Sequence, residues 1–268
     1  MYKLLLYGVS GKLYEAVKAL YSSTSACIKL SGTHSNWFQT VSGVRQGDSL
    51  SPTLFNVYIN DLVEEISDLN LGVNIGESIL STLLYADDLV LMADTEENLH
   101  TMLNKLYDWC KRWQMKINFN KTNVIHFRSK RRPKTKYIFI LEGNILELVP
   151  KYKYLGFYFD EHLDFQEGIN TLSEAAGRAL GSVISKFKSL KNVGFKTYTK
   201  LYDSGVVPIS DYFSELWGSK KSPVQDKIHN RAIRYFLGVH SMTPIPALQI
   251  ELGWVPVFYR HSLKCIKY

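Results

Sequence analysis

Tyr85-Ala86-Asp87-Asp88 lies between two apolar runs, Ile79-Leu80-Ser81-Thr82-Leu83-Leu84 and Leu89-Val90-Leu91-Met92-Ala93. Short apolar runs of this length read as buried strands. The two carboxylates then fall on the tight turn of a hairpin. An Asp pair in a turn is ordinarily a solvated turn former. Apolar strands on both sides weigh against that, because they would hold the pair rigidly on a sheet. Adjacent carboxylates fixed in this way suit a hard, oxygen-seeking cation such as Mg²⁺. Two such ions about 3.5–4 Å apart are what in-line phosphoryl transfer requires. Four residues recur by chance, so the surrounding chain has to decide.

Upstream, Arg45-Gln46-Gly47-Asp48-Ser49-Leu50-Ser51-Pro52 precedes an apolar helix expected over 53–66. Gly47 lets backbone approach a ligand closely, Gln46 offers donors and an acceptor, and Arg45 offers a fork for phosphate. As an isolated loop this would be a plain glycine turn. Its place ahead of the carboxylate hairpin changes that weighting. On the helix expected over 53–66, Leu54, Val57, Tyr58, Asp61, Leu62 and Glu65 fall near one stripe.

A first helix is expected from Ser10 to about Tyr21. A hairpin is expected from 26–30 and 37–41, with Ser31-Gly32-Thr33-His34 in its turn. Asp94 or Thr95 caps a long helix to about Met115, whose inner side carries Leu99, Met102, Leu103, Leu106, Trp109, Cys110 and Trp113. Short strands follow over 123–127, 137–141, 145–149 and 152–159. From about Gln166 the pattern is helical. The fold class is therefore α+β over 1–160, then all-helical over 161–268.

At 268 residues, 46% hydrophobic and 21% charged, the chain has an ordinary globular composition. No apolar run reaches the length of a membrane span, and no membrane partner is expected. Cys27, Cys110 and Cys265 match no zinc or disulfide spacing, which points to a reducing, intracellular setting, nucleus or cytoplasm. Charge is uneven. Residues 1–127 hold 10 Lys and Arg against 13 Asp and Glu, net −3, and residues 128–268 hold 22 against 12, net +10. An acidic front and a basic back suit a protein that holds cations in one part and a polyanion in the other. The helix expected near 171–191 adds a basic outer face with Arg178, Lys186, Lys188 and Lys191, which is most often just a solvated face. The run Arg128-Ser129-Lys130-Arg131-Arg132-Pro133-Lys134-Thr135-Lys136 reads as a solvated hairpin tip, a nucleic-acid contact or a nuclear address.

Arg45 to Pro52, then Phe55-Asn56, then Tyr85-Ala86-Asp87-Asp88, resembles the reverse transcriptase of non-LTR (LINE-like) retrotransposons. Trp109-Cys110, Trp113, Asn118, Lys121 and Thr122 match the segment that follows in that family. Tyr152-Lys153-Tyr154-Leu155-Gly156-Phe157 resembles its primer-grip hairpin. His229-Asn230-Arg231-Ala232-Ile233-Arg234 and Glu251-Leu252-Gly253-Trp254-Val255-Pro256 resemble the segment after the polymerase thumb. The resemblance implies a right-hand polymerase with its palm over 1–160 and a helical thumb and connection segment over 161–268. It also implies RNA-directed DNA synthesis on an RNA template and a DNA primer from dNTPs, with Mg²⁺ or Mn²⁺. By the same resemblance Asp87 and Asp88 hold the metal ions and Tyr85 lies beneath the primer end. Arg45, Gln46 and Gly47 line the nucleotide pocket, and Lys121 sits near the triphosphate, protonating the pyrophosphate leaving group. Tyr154, Leu155 and Gly156 position the primer strand. Lys121 reads equally well as a solvated loop lysine, and Tyr154 as a buried strand aromatic.

The family uses a third carboxylate on a strand upstream of the Gln-Gly loop. The only acidic residue before Asp48 is Glu15, inside an expected helix. The expectation is of a piece of a longer polyprotein that lacks the fingers and the first catalytic motif, and is inactive alone. The alternative is a non-enzymatic, domesticated or degenerate remnant that only binds RNA or DNA. A third reading, another palm-fold enzyme such as a nucleotide cyclase, is disfavoured by the Arg45–Pro52 loop and by Tyr154-Leu155-Gly156.

Overall fold

A computed structural model of the chain describes residues 1–40, 42–190 and 194–267. Val41, Lys191 and Tyr268, at the ends of expected elements, lie outside the described residues. The chain forms two compact units, Met1–Thr122 with Tyr137–Glu147, and Asn123–Lys136 with Leu148–Tyr268.

The first unit carries helices α1 (Tyr2–Leu6), α2 (Gly11–Tyr21), α3 (Ser51–Ser67) and α4 (Glu96–Arg112). The start and end of α4 follow from its sequence. Thr95 is extended at the N-cap, and its Oγ1 accepts from the Asn98 N–H at 3.2 Å. Glu96 and Glu97 occupy the first turn and Lys111 and Arg112 the last, each complementing the helix dipole. Met102, Leu106, Trp109 and Cys110 of α4 pack against Ile59, Leu62 and Ile66 of α3. Burial of each large apolar side chain contributes about 1.5–3 kcal/mol. Burial also pushes the Cys110 thiol up to about 11, which suits a small core hydrophobe and no reactive role. On α3 the inward face differs from the expected stripe: Ile59, Leu62 and Ile66 are fully buried, whereas Leu54 and Val57 are only half-buried.

The antiparallel strands are present as two-stranded ladders among the described residues, not as one continuous sheet. Thr82–Tyr85 pairs with Asp88–Leu91, and Val73–Ile75 pairs with Ser78–Leu80. The runs around the carboxylates are half-buried rather than buried. Leu84, Leu89 and Leu91 face the α3–α4 core, while Leu83 and Tyr85 are exposed. Near the start of the chain, Ser25–Ala26 pairs with Phe38–Gln39, and Lys29–Leu30 with Thr33–His34. The turn there is only Ser31-Gly32, and Thr33 and His34 belong to the returning strand.

The second unit contains the hairpin Lys151–Tyr154 with Phe157–Asp160, then α5 (Gln166–Ser189), α6 (Phe195–Gly205), α7 (Val207–Ser210), α8 (Ser214–Trp217), α9 (Pro223–Leu237), α10 (Ile245–Leu252) and α11 (Val257–Lys267). Ala176 and Leu180 of α5, Tyr202 of α6, Val206 and Ala232 of α9 make one core, and Phe157, Leu172 and Trp217 make another. Among the described residues no helix is long and apolar enough to cross a membrane.

Two buried polar clusters lock these helices. Asp211, 1% exposed, takes both nitrogens of a fork from Arg260, Nε at 2.6 Å and Nη2 at 2.8 Å. It also pairs with His261 Nε2 at 2.9 Å and Lys264 Nζ at 3.5 Å. In the second cluster, the Tyr202 hydroxyl and His229 Nδ1 are 3.0 Å apart. Burial, and then the charge of Arg260, push the His229 imidazole down to about 4. An unfolded imidazole titrates near 6.5, so as pH falls the unfolded chain takes up its proton first. The stability that depends on a neutral His229 is present at pH 7 and is lost between about pH 6.5 and pH 4. The gap between the two values corresponds to about 3 kcal/mol. Urea unfolding of this unit at pH 7, 5.5 and 4 is expected to show that decline. His229→Gln is expected to flatten it; an unchanged slope in the variant would assign the decline to another group.

Candidate functional site

The carboxylate hairpin turns through Ala86-Asp87, with Tyr85 and Asp88 as the last paired residues. Ala86 has φ +53°, a left-handed conformation that costs an L-residue roughly 1–2 kcal/mol. Strain of this kind is held only where the surroundings over-determine it. Here α3 and α4 do so from below, through Leu84, Leu89 and Leu91. Asp87 and Asp88 are exposed. Among the described residues neither side chain accepts a hydrogen bond or joins an ion pair. Two hard oxygen donors with no competing proton donor fit a divalent cation, which Mg²⁺ sites typically hold with one or two carboxylates and substrate phosphates. Among the described residues no three His, Cys, Asp or Glu side chains gather closely enough to hold a metal. Asp87 and Asp88 stand as a pair.

The loop before α3 is built by its own side chains. Asp48 Oδ1 accepts from the Leu50 N–H at 2.9 Å, and Ser51 Oγ donates to the Arg45 carbonyl at 2.6 Å. Ser51 Oγ also meets the Tyr21 hydroxyl at 3.1 Å. Arg45 Nη2 donates to the Leu20 carbonyl, and its guanidinium lies 5.5 Å from the Tyr21 ring. Arg45 therefore fastens the loop to the end of α2, and part of its fork is in use. Gln46 and Gly47 are exposed, with Gly47 at φ +85°. A Cβ there would meet nothing within 4 Å, so the glycine serves the backbone conformation rather than clearance from neighbours.

Lys121 is exposed in a turn closed by its own N–H on the Asn118 carbonyl at 3.0 Å and by Thr122 Oγ1 on the same carbonyl at 2.9 Å. Tyr85, Asp87, Asp88, Arg45, Gln46, Gly47 and Lys121 all belong to the first unit. Tyr154, Leu155 and Gly156 belong to the second, where Leu155-Gly156 is the two-residue turn of a hairpin. Leu155 has φ +46° and Gly156 φ +86°. Positive φ at both central residues matches the right-handed twist of the strands, and glycine supplies it without strain at the second position. The Tyr212 hydroxyl holds this turn by donating to the Leu155 carbonyl at 2.7 Å. Sequence reasoning passed over Tyr212, because nothing local connects it to a turn 57 residues earlier.

It also passed over Lys3. That lysine is 4% exposed, pairs with Asp61 at 2.6 Å and sits over the rings of Tyr58, Trp109 and Trp113, the last at 3.8 Å. Asp61 Oδ1 accepts from the Trp109 indole N–H as well, at 3.0 Å. The cluster ties α1 to the α3–α4 core beneath the hairpin. In the basic run, Arg128 pairs with Glu161 at 2.9 Å and Lys134 donates to the Leu148 carbonyl at 2.9 Å, so part of that run is structural.

Residues 8–159 match the family described as reverse transcriptase (RNA-dependent DNA polymerase), more than half of the chain. A Pol polyprotein from the type-2 retrotransposable element R2DM of Drosophila melanogaster is 29% identical over 160 residues, 57% of this chain and 15% of its own length. An RNA-directed DNA polymerase from mobile element jockey of Drosophila funebris is 23% identical over 216 residues, 78% of this chain and 23% of its own length. A probable RNA-directed DNA polymerase from transposon X-element of Drosophila melanogaster is 24% identical over 261 residues, 91% of this chain and 27% of its own length. The chain thus spans between about a seventh and about a quarter of these relatives.

Proposed function

The chain belongs to the reverse transcriptase (RNA-dependent DNA polymerase) family, and from that premise we propose that it is palm and thumb of a non-LTR, LINE-like retrotransposon polymerase, working inside the cell on an RNA template, a DNA primer and dNTPs. The observation that carries the reading is the Asp87-Asp88 pair: two unpartnered carboxylates on a strained turn, seated by α3 and α4. Mg²⁺ or Mn²⁺ bound there would supply charge neutralisation for the transferring phosphoryl group and lower the pKa of the attacking hydroxyl. Tyr85, exposed beside the pair, would lie under the primer end. Gln46 and Gly47 would face the incoming nucleotide, with Arg45 bracing their loop on α2. Lys121 would approach the triphosphate. The Tyr154-Leu155-Gly156 turn, held by Tyr212, would grip the primer strand. In domain terms, 1–160 supplies the palm and 161–268 the thumb and connection. One observation favours the second reading, a non-catalytic binder of RNA or DNA: no third metal-binding side chain joins the pair among the described residues.

Titration with Mn²⁺, read by the loss of the free-ion electron paramagnetic resonance signal, tests the site without requiring turnover. One weak site is expected, lost in Asp87→Asn and in Asp88→Asn. Equal binding by wild type and both variants would remove the metal site from this hairpin.

A further inference from the structure

We propose that Tyr212 is a positioning residue for the primer strand, acting through the Leu155 carbonyl. The inference rests on the primer-grip reading of Tyr154-Leu155-Gly156 and adds the residue that sets the shape of that turn. All of its parts lie within the second unit.

The turn does not hold its own shape. Leu155 carries a Cβ at φ +46°, a region that L-residues avoid. Asn, Asp or Gly ordinarily stands at the first position of such a turn. Asn and Asp can hydrogen-bond their own backbone there, and a leucine side chain cannot. Strained backbone persists only where its surroundings hold it. Here the Tyr212 hydroxyl donates to the Leu155 carbonyl at 2.7 Å. The tyrosine ring also lies against the turn, since a Cβ on Gly156 would stand 3.9 Å from its Cε1. The Leu155–Gly156 peptide is trans and planar, so fixing the carbonyl also fixes the Gly156 N–H, which points to the opposite side.

Tyr212 is itself held from both sides. Before it, Asp211 is tied to α11 through Arg260 and His261. After it, Phe213 sits at φ +56° and packs its ring on Phe157 and Phe159, at 5.6 and 6.3 Å, both on the strand that leaves the turn. Phe157 is seated in turn on α5, where a Cβ at Gly168 would come within 2.5 Å of the ring. The Tyr212 carbonyl accepts from the Trp217 indole N–H at 3.1 Å. Yet the Tyr212 residue is 40% exposed. Its hydroxyl therefore matters more to the shape of the turn than its burial does to stability. A primer strand resting on the turn takes its place from this one bond.

The test is photocrosslinking of the intact chain to an oligo-dT primer on poly-rA, with 4-thiothymidine in the last two primer positions. Attachment sites are mapped by mass spectrometry in wild type and in Tyr212→Phe, which keeps the ring and removes the hydroxyl. Melting temperature and affinity for the primer–template are measured alongside. Wild type is expected to attach within residues 154–157. Tyr212→Phe is expected to attach there roughly 3–10-fold less, the worth of one neutral hydrogen bond, with melting temperature and affinity unchanged. Attachment at 154–157 that Tyr212→Phe leaves unchanged overturns the inference and leaves the primer-grip reading standing. No attachment at 154–157 in wild type overturns that reading, and the inference with it. A lowered melting temperature with equal loss at every attachment site also overturns the inference, since it makes Tyr212 a structural residue only.

Discussion

Fused behind a strand that supplies a third carboxylate, taken from a longer family member, the chain is expected to extend an oligo-dT primer on poly-rA. Asp87→Asn in that fusion is expected to lower the rate on the order of 10³-fold. The 268 residues alone are expected to stay at background. Two ions have to be held about 3.5–4 Å apart to clamp the attacking and leaving oxygens. The Asp87-Asp88 turn gives two adjacent carboxylates on rigid support, enough to recruit a cation, and no further metal-binding side chain among the described residues completes the set. Misplacing the reacting groups by about 1 Å already costs on the order of 10²-fold. Removing one anionic ligand forfeits several kcal/mol of charge stabilisation, and each ~1.4 kcal/mol is a factor of ten. Asn keeps the size of Asp87 and loses its charge, so the loss reports metal binding rather than packing. Extension by the unfused chain that Asp87→Asn abolishes would show that Glu15 or Asp48 completes the site.

Asp211→Ala is expected to destabilise the second unit by about 3–5 kcal/mol, read from the denaturant midpoint. Burial alone would raise the Asp211 carboxyl. The hydrogen bonds from His261 and Arg260, with the charge of Arg260, override burial and hold it well below the usual carboxylate range. The same contact raises the Arg260 guanidinium against its own burial. Truncating the carboxylate leaves a half-buried guanidinium and a buried His261 without their partner, and uncompensated charge is what makes breaking such a cluster costly. α11 depends on these contacts to reach the residue after α7. An unfolded Asp titrates near 3.9. A carboxyl depressed in the folded state contributes in full above that value and loses its contribution as pH falls through the folded one. The wild type and Asp211→Ala are therefore expected to differ most at neutral pH and to draw together below about pH 4. A loss under about 1 kcal/mol at pH 7 would mean that α11 is held by its apolar contacts alone.

The parts of the fold legible in the sequence are those in which one local signal has no competitor. Asp94 or Thr95, with two acidic residues after it and a spaced apolar row, marked the start of α4, and the cap is Thr95. Tyr85-Ala86-Asp87-Asp88 between two apolar runs could only turn. The face of α3 was not legible. Leu54, Phe55, Val57, Tyr58 and Ile59 fill nearly every early position, so spacing selects no face, and contact with α4 chose Ile59, Leu62 and Ile66. The runs flanking the carboxylates looked buried on both faces because composition cannot tell one cover from two. Among the described residues α3 and α4 cover one face of them. Lys3–Asp61 and Asp211–Arg260 join residues 58 and 49 apart, and no window along the chain contains both partners. At the site, sequence named the carboxylates and the loop, while the anchoring of Arg45 on α2 and the grip of Tyr212 on Leu155 came only from the fold.

Among the described residues the ladders are two-stranded, so each strand in them keeps one side of N–H and C=O groups without a neighbouring strand. Such edges are templates for another chain. Several carry apolar residues outward, Leu30, Phe38 and Leu83 among them. A net charge of +7 at pH 7, which vanishes near pH 9.1, makes neighbouring molecules repel one another. Screening weakens this repulsion over a distance of about 10 Å at 0.1 M salt. Pairing through these edges is thus expected to grow with added salt and as the pH rises toward 9.1, which sedimentation at two salt concentrations would read.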